Sequence, residues 1–184
     1  WDGGAMAPAW CLAPRPASDP IPTPDPMDEI PTHALDALRA QIMAMPPARA
    51  MQLRVAAGGG GRLRLEAPLA ANVNDKGTAF GGSLASLMTL AAWGLTALRV
   101  ELAGLPAEVY VADSRVRYLA PLRGDLVAEA WLEEGGWDGF LDTLRRRGRA
   151  RATLAAHVLL PGGGVAAASR SRYAAILKQD PPAA

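Results

Sequence analysis

Residues 79–98 form a run of 20 without one charged side chain. About 20 apolar residues are enough to span a bilayer, so a membrane helix is the first reading to test. The content of the run argues against it. Gly81, Gly82 and Gly94 interrupt it, and Ser83, Ser86, Thr89 and Thr96 dilute its hydrophobicity. A helix that is apolar on every side and stays out of lipid must be buried on every side by protein. In a single domain, wrapping a sheet around it is one way to do so. Gly82, Ala85, Ser86 and Ala92 would allow the close approach this needs.

The flanking segments supply the strands. Residues 62–67 alternate strictly, with Arg62, Arg64 and Glu66 on one face and Leu63, Leu65 and Ala67 on the other. Residues 51–56 read as its hairpin partner across the glycine turn 58–61. No Lys-Ser/Thr follows that turn and no helix starts there, so it is not a phosphate loop. After the apolar run come four strand-like segments, 109–119, 126–134, 149–160 and 165–174, with a short helical stretch at 140–147. Short turns between consecutive strands favour an antiparallel meander, and the absence of βαβ alternation excludes a Rossmann or P-loop design. A helix over residues 33–45, capped by Thr32 and stopped by Pro46-Pro47, precedes the first strand.

Eight of the 16 prolines lie between Pro8 and Pro31, and Pro20, Pro22, Pro24 and Pro26 alternate. That pattern favours polyproline II, so residues 1–31 read as a disordered tail or linker, 32–176 as one domain and 177–184 as a second tail. The tail has no uninterrupted apolar core before a cleavage-like site, so it is not read as a signal peptide; Met27 is a candidate start. The net charge of +1 gives no pull toward nucleic acid or an anionic membrane. One cysteine, Cys11, excludes an internal disulfide framework, and with two histidines no metal site is expected. A reducing, cytoplasmic setting follows from that cysteine usage.

The chemistry concentrates in Asn72-Val73-Asn74-Asp75-Lys76-Gly77-Thr78-Ala79-Phe80-Gly81-Gly82-Ser83, a polar loop that opens the apolar helix. Free N–H groups at a helix amino end, with the dipole behind them, stabilise a carbonyl oxygen that gains negative charge. Gly81 and Gly82 let a ligand carbonyl come close to the backbone. Asn74 offers an amide and Asp75 a potential general base.

The string Asn74-x-x-Gly77-Thr78-x-Phe80-Gly81-Gly82 resembles the Asn-x-x-Gly-x-x-His-Gly-Gly loop of hotdog-fold acyl-CoA thioesterases. With Ala112-Asp113-Ser114-Arg115-Val116-Arg117-Tyr118-Leu119-Ala120-Pro121 downstream, it resembles in particular the thioesterase domain at the C-terminus of YiiD-type acetyltransferases, also found free-standing. The resemblance covers roughly residues 33–175, one ordinary domain. It implies an α+β hotdog fold, an antiparallel sheet curled around a long central helix. It also implies a homodimer or dimer of dimers with sites between protomers.

Two positions depart from the family pattern. Phe80 stands where the family has His, and Thr89 falls where many members carry a helix carboxylate. Asp75 is then the first candidate for the base and Asp113, among apolar strand neighbours, the second. Thr89 is held as a water-positioning group. In this reading a thioester carbonyl sits at the Gly82 N–H, aided by Asn74, with Phe80, Gly81 and Ser83 around it. Coenzyme A enters as part of the substrate, and no separate cofactor is expected. The cluster Arg145-Arg146-Arg147-Gly148-Arg149-x-Arg151 suggests phosphate contacts from Arg145, Arg147 and Arg149, to which Arg123 would add one. His33 and His157 are read as structural. The expected function is acyl-CoA or acyl-carrier-protein thioester hydrolysis. The alternative is a non-hydrolytic acyl-CoA-binding module.

Overall fold

The computed structural model describes residues 30–178. The proline-rich tail and Cys11 therefore lie outside the described residues, apart from residues 30 and 31. Helix α1 spans Thr32–Ala44, and its Ala34, Leu38 and Ile42 turn inward at helical spacing. Pro46-Pro47 ends it, as expected, but the same pair also starts a short helix, α2 (Pro46–Ala50). Proline has no N–H to lose at a first helical turn, so it both stops one helix and opens the next. Strand β1 (Arg54–Gly59) therefore begins three residues later than the sequence suggested.

Strand β2 (Arg62–Ala67) alternates as read, its Leu63, Leu65 and Ala67 buried. Helix α3 (Gly81–Leu102) is the apolar run. It is long and apolar enough to cross a membrane by length and composition, yet it lies in the core of the domain. Strands β3 (Ala107–Tyr118) and β4 (Leu126–Leu132) follow, then helix α4 (Trp137–Arg147), β5 (Arg149–Leu159) and β6 (Val165–Leu177). Helix α4 carries Asp138 in its first turn and three arginines in its last, each sign at the favourable end of the dipole.

The six strands form one antiparallel sheet in the order β1-β2-β4-β5-β6-β3. Its inner face curls around α3, the arrangement of the hotdog fold. Leu87, Met88, Ala91 and Leu95 of the helix are fully buried against Leu63, Leu65, Leu154 and Val158. Contact is close where α1, β2 and α3 meet. A Cβ at Gly94 would fall 2.9 Å from Leu63 Cδ2 and 3.3 Å from Leu38 Cδ2. Tyr173 on β6 is 0% exposed, and its hydroxyl donates to the Thr89 carbonyl at 3.0 Å, tying sheet to helix.

Two departures from regularity matter for function. One strip of α3, through Gly82, Ser86, Leu90, Trp93 and Ala97, is not buried within the chain, so the helix is not sheathed on every side. Beside it, β3 is a sheet edge with no strand on its far side, and it carries a bulge between Val111 and Asp113. An extra residue on one strand reverses which face the following residues occupy.

Candidate active site

The loop from Asn72 to Phe80 is fixed mainly by its own backbone and amide side chains. Asn72 is buried, and its Nδ2 donates to the carbonyls of Met51 and Pro68 at 2.9 and 2.8 Å. Its carbonyl accepts the Phe80 N–H at 2.7 Å, while Ala79 N–H donates to Leu122 O at 2.8 Å. Asn72 thus anchors the loop on both sides, a role the sequence reading missed; the nearby Asn74 drew the attention. Asn74 itself holds the turn. Its Oδ1 accepts from the N–H groups of Lys76 and Thr78, and its Nδ2 donates to Thr78 Oγ1 at 2.9 Å. One Nδ2 hydrogen is left to reach a ligand.

This anchoring presents the amino end of α3. Phe80 is the N-cap, without a side-chain cap, and the first turn holds no acid. The helical ladder begins at Leu84 N–H to Phe80 O, 3.1 Å. The amides of Gly81, Gly82 and Ser83 therefore have no acceptor within the ladder. Gly82 is exposed, and the Phe80 ring lies over it: a Cβ there would come within 2.3 Å of the ring. Only glycine lets the ring and the bare amide coexist. Tyr118 closes the other side, its hydroxyl donating to Gly81 O at 3.1 Å. Phe80 and Tyr118 are both 55% exposed, so two aromatic rings flank the amide at the surface. The Ser83 side chain is buried.

The two candidate bases separate. Asp75 stays on the loop tip, exposed, with Lys76 Nζ at 3.1 Å. Asp113 lies on the opposite face of the sheet, because the bulge shifts the alternation. Val111 pairs with buried Tyr173 and faces the helix, whereas Asp113 pairs with Arg172 and accepts from its Nε at 2.6 Å. Strict alternation from Val109 and Val111 would have aimed Asp113 at the helix. The structure does not bring it to the loop.

Thr89 lines an apolar cavity of about 300 Å³ with Met45, Pro47, Met51, Ser86 and Leu90, about two turns along α3 from Gly82. Arg123 follows Leu122, whose carbonyl holds Ala79, so it belongs to this end of the domain. Arg145, Arg147 and Arg149 do not. They lie where α4 meets β5, beside the far end of the sheet, and Arg145 is occupied by Asp142 at 3.2 Å. His157 is buried on the outer face, edge-on to Trp131 at 5.0 Å, and burial pushes its pKa down. Among the described residues no cluster of His, Cys, Asp and Glu fit to hold a metal is present.

Such a site offers bare amides, flanking aromatics and an apolar cavity, the requirements for holding an acyl carbonyl. Comparisons with known proteins point the same way. A family model described as "Putative thioesterase (yiiD_Cterm)" matches residues 36–177. A protein of unknown function from Chlorobaculum tepidum superposes with a TM-score of 0.76 at 26% identity, over 83% of this chain and 99% of that one. A "putative thioesterase" from Shewanella oneidensis does so with 0.72 at 28% identity, over 78% and 98%. A thioesterase from Haemophilus influenzae, at 16% identity, shares the fold with a TM-score of 0.63 over 81% and 94%. With residues 36–177, nearly the whole described length, matched, the chain belongs to the YiiD C-terminal family of thioesterase-like hotdog proteins.

Proposed function

We propose that this chain hydrolyses acyl-CoA thioesters at the amino end of α3. The observation that carries the reading is the exposed, uncapped Gly82 amide behind an anchored loop. The thioester carbonyl oxygen accepts from Gly82 N–H, with the remaining Asn74 Nδ2 hydrogen beside it. Donors placed where charge develops lower the barrier to the tetrahedral intermediate. Asp75 takes the proton of the attacking water; Asp113 is set aside because it faces away. The C–S bond then breaks, and thiolate leaves without a strong general acid. The cavity beside Thr89 and Leu90 receives the acyl group.

A second copy of the chain completes the site. Strand β3 has an uncovered edge 12 residues long, and an edge of that length is a template for pairing. Exposed Tyr110, Val111, Tyr118 and Leu119 line it, and the open strip of α3 runs alongside. The single cysteine is in keeping with a reducing, cytoplasmic setting.

The test is hydrolysis of short, long and aromatic acyl-CoAs by the wild-type, Asn74→Ala and Asp75→Ala proteins. The expected outcome is turnover that falls in both variants. One observation favours a second reading, a non-hydrolytic acyl-CoA-binding module: α3 carries Thr89 where a helix carboxylate is usual in the resembling family. Tight acyl-CoA binding with no turnover of any thioester would decide for it.

A further inference from the structure

The cavity beside Thr89 has a size, and the way α1 ends explains it. Helix α1 runs back along α3. Its Leu38 lies against Gly94, and its end, Met45, reaches the level of Ala85 to Leu90. There the helix breaks. A proline drives the residue before it out of the helical region, and Met45 is extended at φ −82° and ψ 116° ahead of Pro46-Pro47. The chain leaves the line of α1, and the space left between α1, α2 and α3 is the cavity of about 300 Å³. No charged residue lines it, and Ser86 and Thr89 supply its only polar side chains. Met45 and Met51, unbranched and adaptable, contribute to its wall.

Two dimensions agree on what fits. Ser86, which lines the cavity, lies one turn beyond Gly82 on the same exposed strip of α3. From Gly82 to Leu90 the helix rises roughly 12 Å. Beyond that level α1 closes on α3: Leu38 and Ile42 are buried, and Gly94 has no room for a Cβ. An extended chain gains about 1.2 Å per bond, so roughly ten carbons span the distance. Filling gives the same figure. A methylene takes about the volume of a water in the liquid, roughly 30 Å³, so about ten of them occupy the cavity. We infer that the protein selects medium-chain acyl groups, straight hydrocarbon chains of about eight to ten carbons, and that Met45 sets the limit. This rests on the acyl-CoA thioesterase reading above and specifies its acyl class. Each methylene buried raises affinity about fourfold until the cavity is full. Carbons past the limit meet packed side chains or stay in water, and gain nothing.

Two measurements test it. First, S-alkyl coenzyme A thioethers from ethyl to hexadecyl, which have no ester to cleave, are titrated into wild-type, Met45→Trp, Met45→Ala and Met43→Ala proteins. Affinity should climb about fourfold per carbon to about ten carbons and then level off. Met45→Trp narrows the deep end and should bring that break down by about two carbons, and Met45→Ala should raise it by a similar step. Met43 is exposed and lines no part of the cavity, so Met43→Ala should keep the wild-type break. The break is read within one protein, so a loss of folded fraction does not move it. Second, kcat/KM is compared for butyryl-, decanoyl- and hexadecanoyl-CoA. Decanoyl-CoA should be preferred, and its ratio to butyryl-CoA should fall about tenfold in Met45→Trp. Alkyl binding with the expected break but no turnover supports the inference and counts against hydrolysis alone. Turnover without preference among the three thioesters overturns the inference and leaves hydrolysis standing. A break that ignores both Met45 variants, affinity that climbs through hexadecyl, or no dependence on the alkyl chain also overturns it.

Discussion

The two faces of this sheet are built on opposite principles. The inner face is mostly alanine, leucine and valine packed on α3, with Tyr173 as a fully buried phenol; burial pushes the pKa of that phenol up, keeping it a donor. The outer face is a lattice of charges. Arg64 reaches Glu66 at 3.0 Å, Arg62 lies 3.7 Å from Glu129 and 4.7 Å over Trp131, and Arg170 bridges Glu133 and Glu134. Burial of apolar area is worth more per residue than exposed ion pairs. The inner face therefore holds the domain together, and the outer face is free to differ locally, as it does where the pairing lapses around Arg149 and Arg151.

The largest expected effect lies at the amide that the inner face presents. Gly82→Pro removes the N–H at a first-turn position where the helix tolerates proline, and its Cβ also pushes the exposed Phe80 ring aside from 2.3 Å. We expect kcat on acyl-CoA to fall about 100- to 1000-fold with far-ultraviolet dichroism unchanged. Unchanged kcat would break the link between the inner face and the chemistry. Next, Leu87→Ala empties a fully buried position and should lower the unfolding free energy by about 3 kcal/mol in denaturant titration. A smaller pH effect probes a buried titratable group of the outer face, His157. Burial lowers the His157 pKa below its usual 6.5; Glu129 at 3.6 Å only partly offsets this, and the nearby Arg62 charge adds to the lowering. The folded state then resists protonation. Stability is full above pH 6.5 and is lost as pH falls toward the folded value; His157→Gln should flatten that slope in thermal melts. The smallest change is expected for Arg64→Ala, about 0.5 kcal/mol, since its own side chain is 41% exposed. A loss as large as that of Leu87→Ala would erase the contrast between the faces.

Much of this was legible in the residues. The uncharged run, the alternation of residues 62–67 and the loop before Gly81-Gly82 each carry a periodic or local signal, and each stands where the pattern placed it. What failed to show was set by non-local geometry. Alternation put Asp113 on the inner face, but a bulge leaves no mark in sequence and turned it outward. The arginine cluster read as one patch, yet Arg145 is paired with Asp142, while Arg147, Arg149 and Arg151 line one cavity with Lys178 from the end of β6, a residue the cluster did not include. Asn72 looked like the lesser of two asparagines; only the meeting of its amide with Met51, 21 residues earlier, shows that it positions the loop.

The bare edge of β3 has a final consequence. If hydrolysis needs two chains laid edge to edge, the catalyst exists only above a threshold abundance. Specific activity would then drop on dilution. A cell could silence the reaction by scarcity alone, with no inhibitor and no chemical modification.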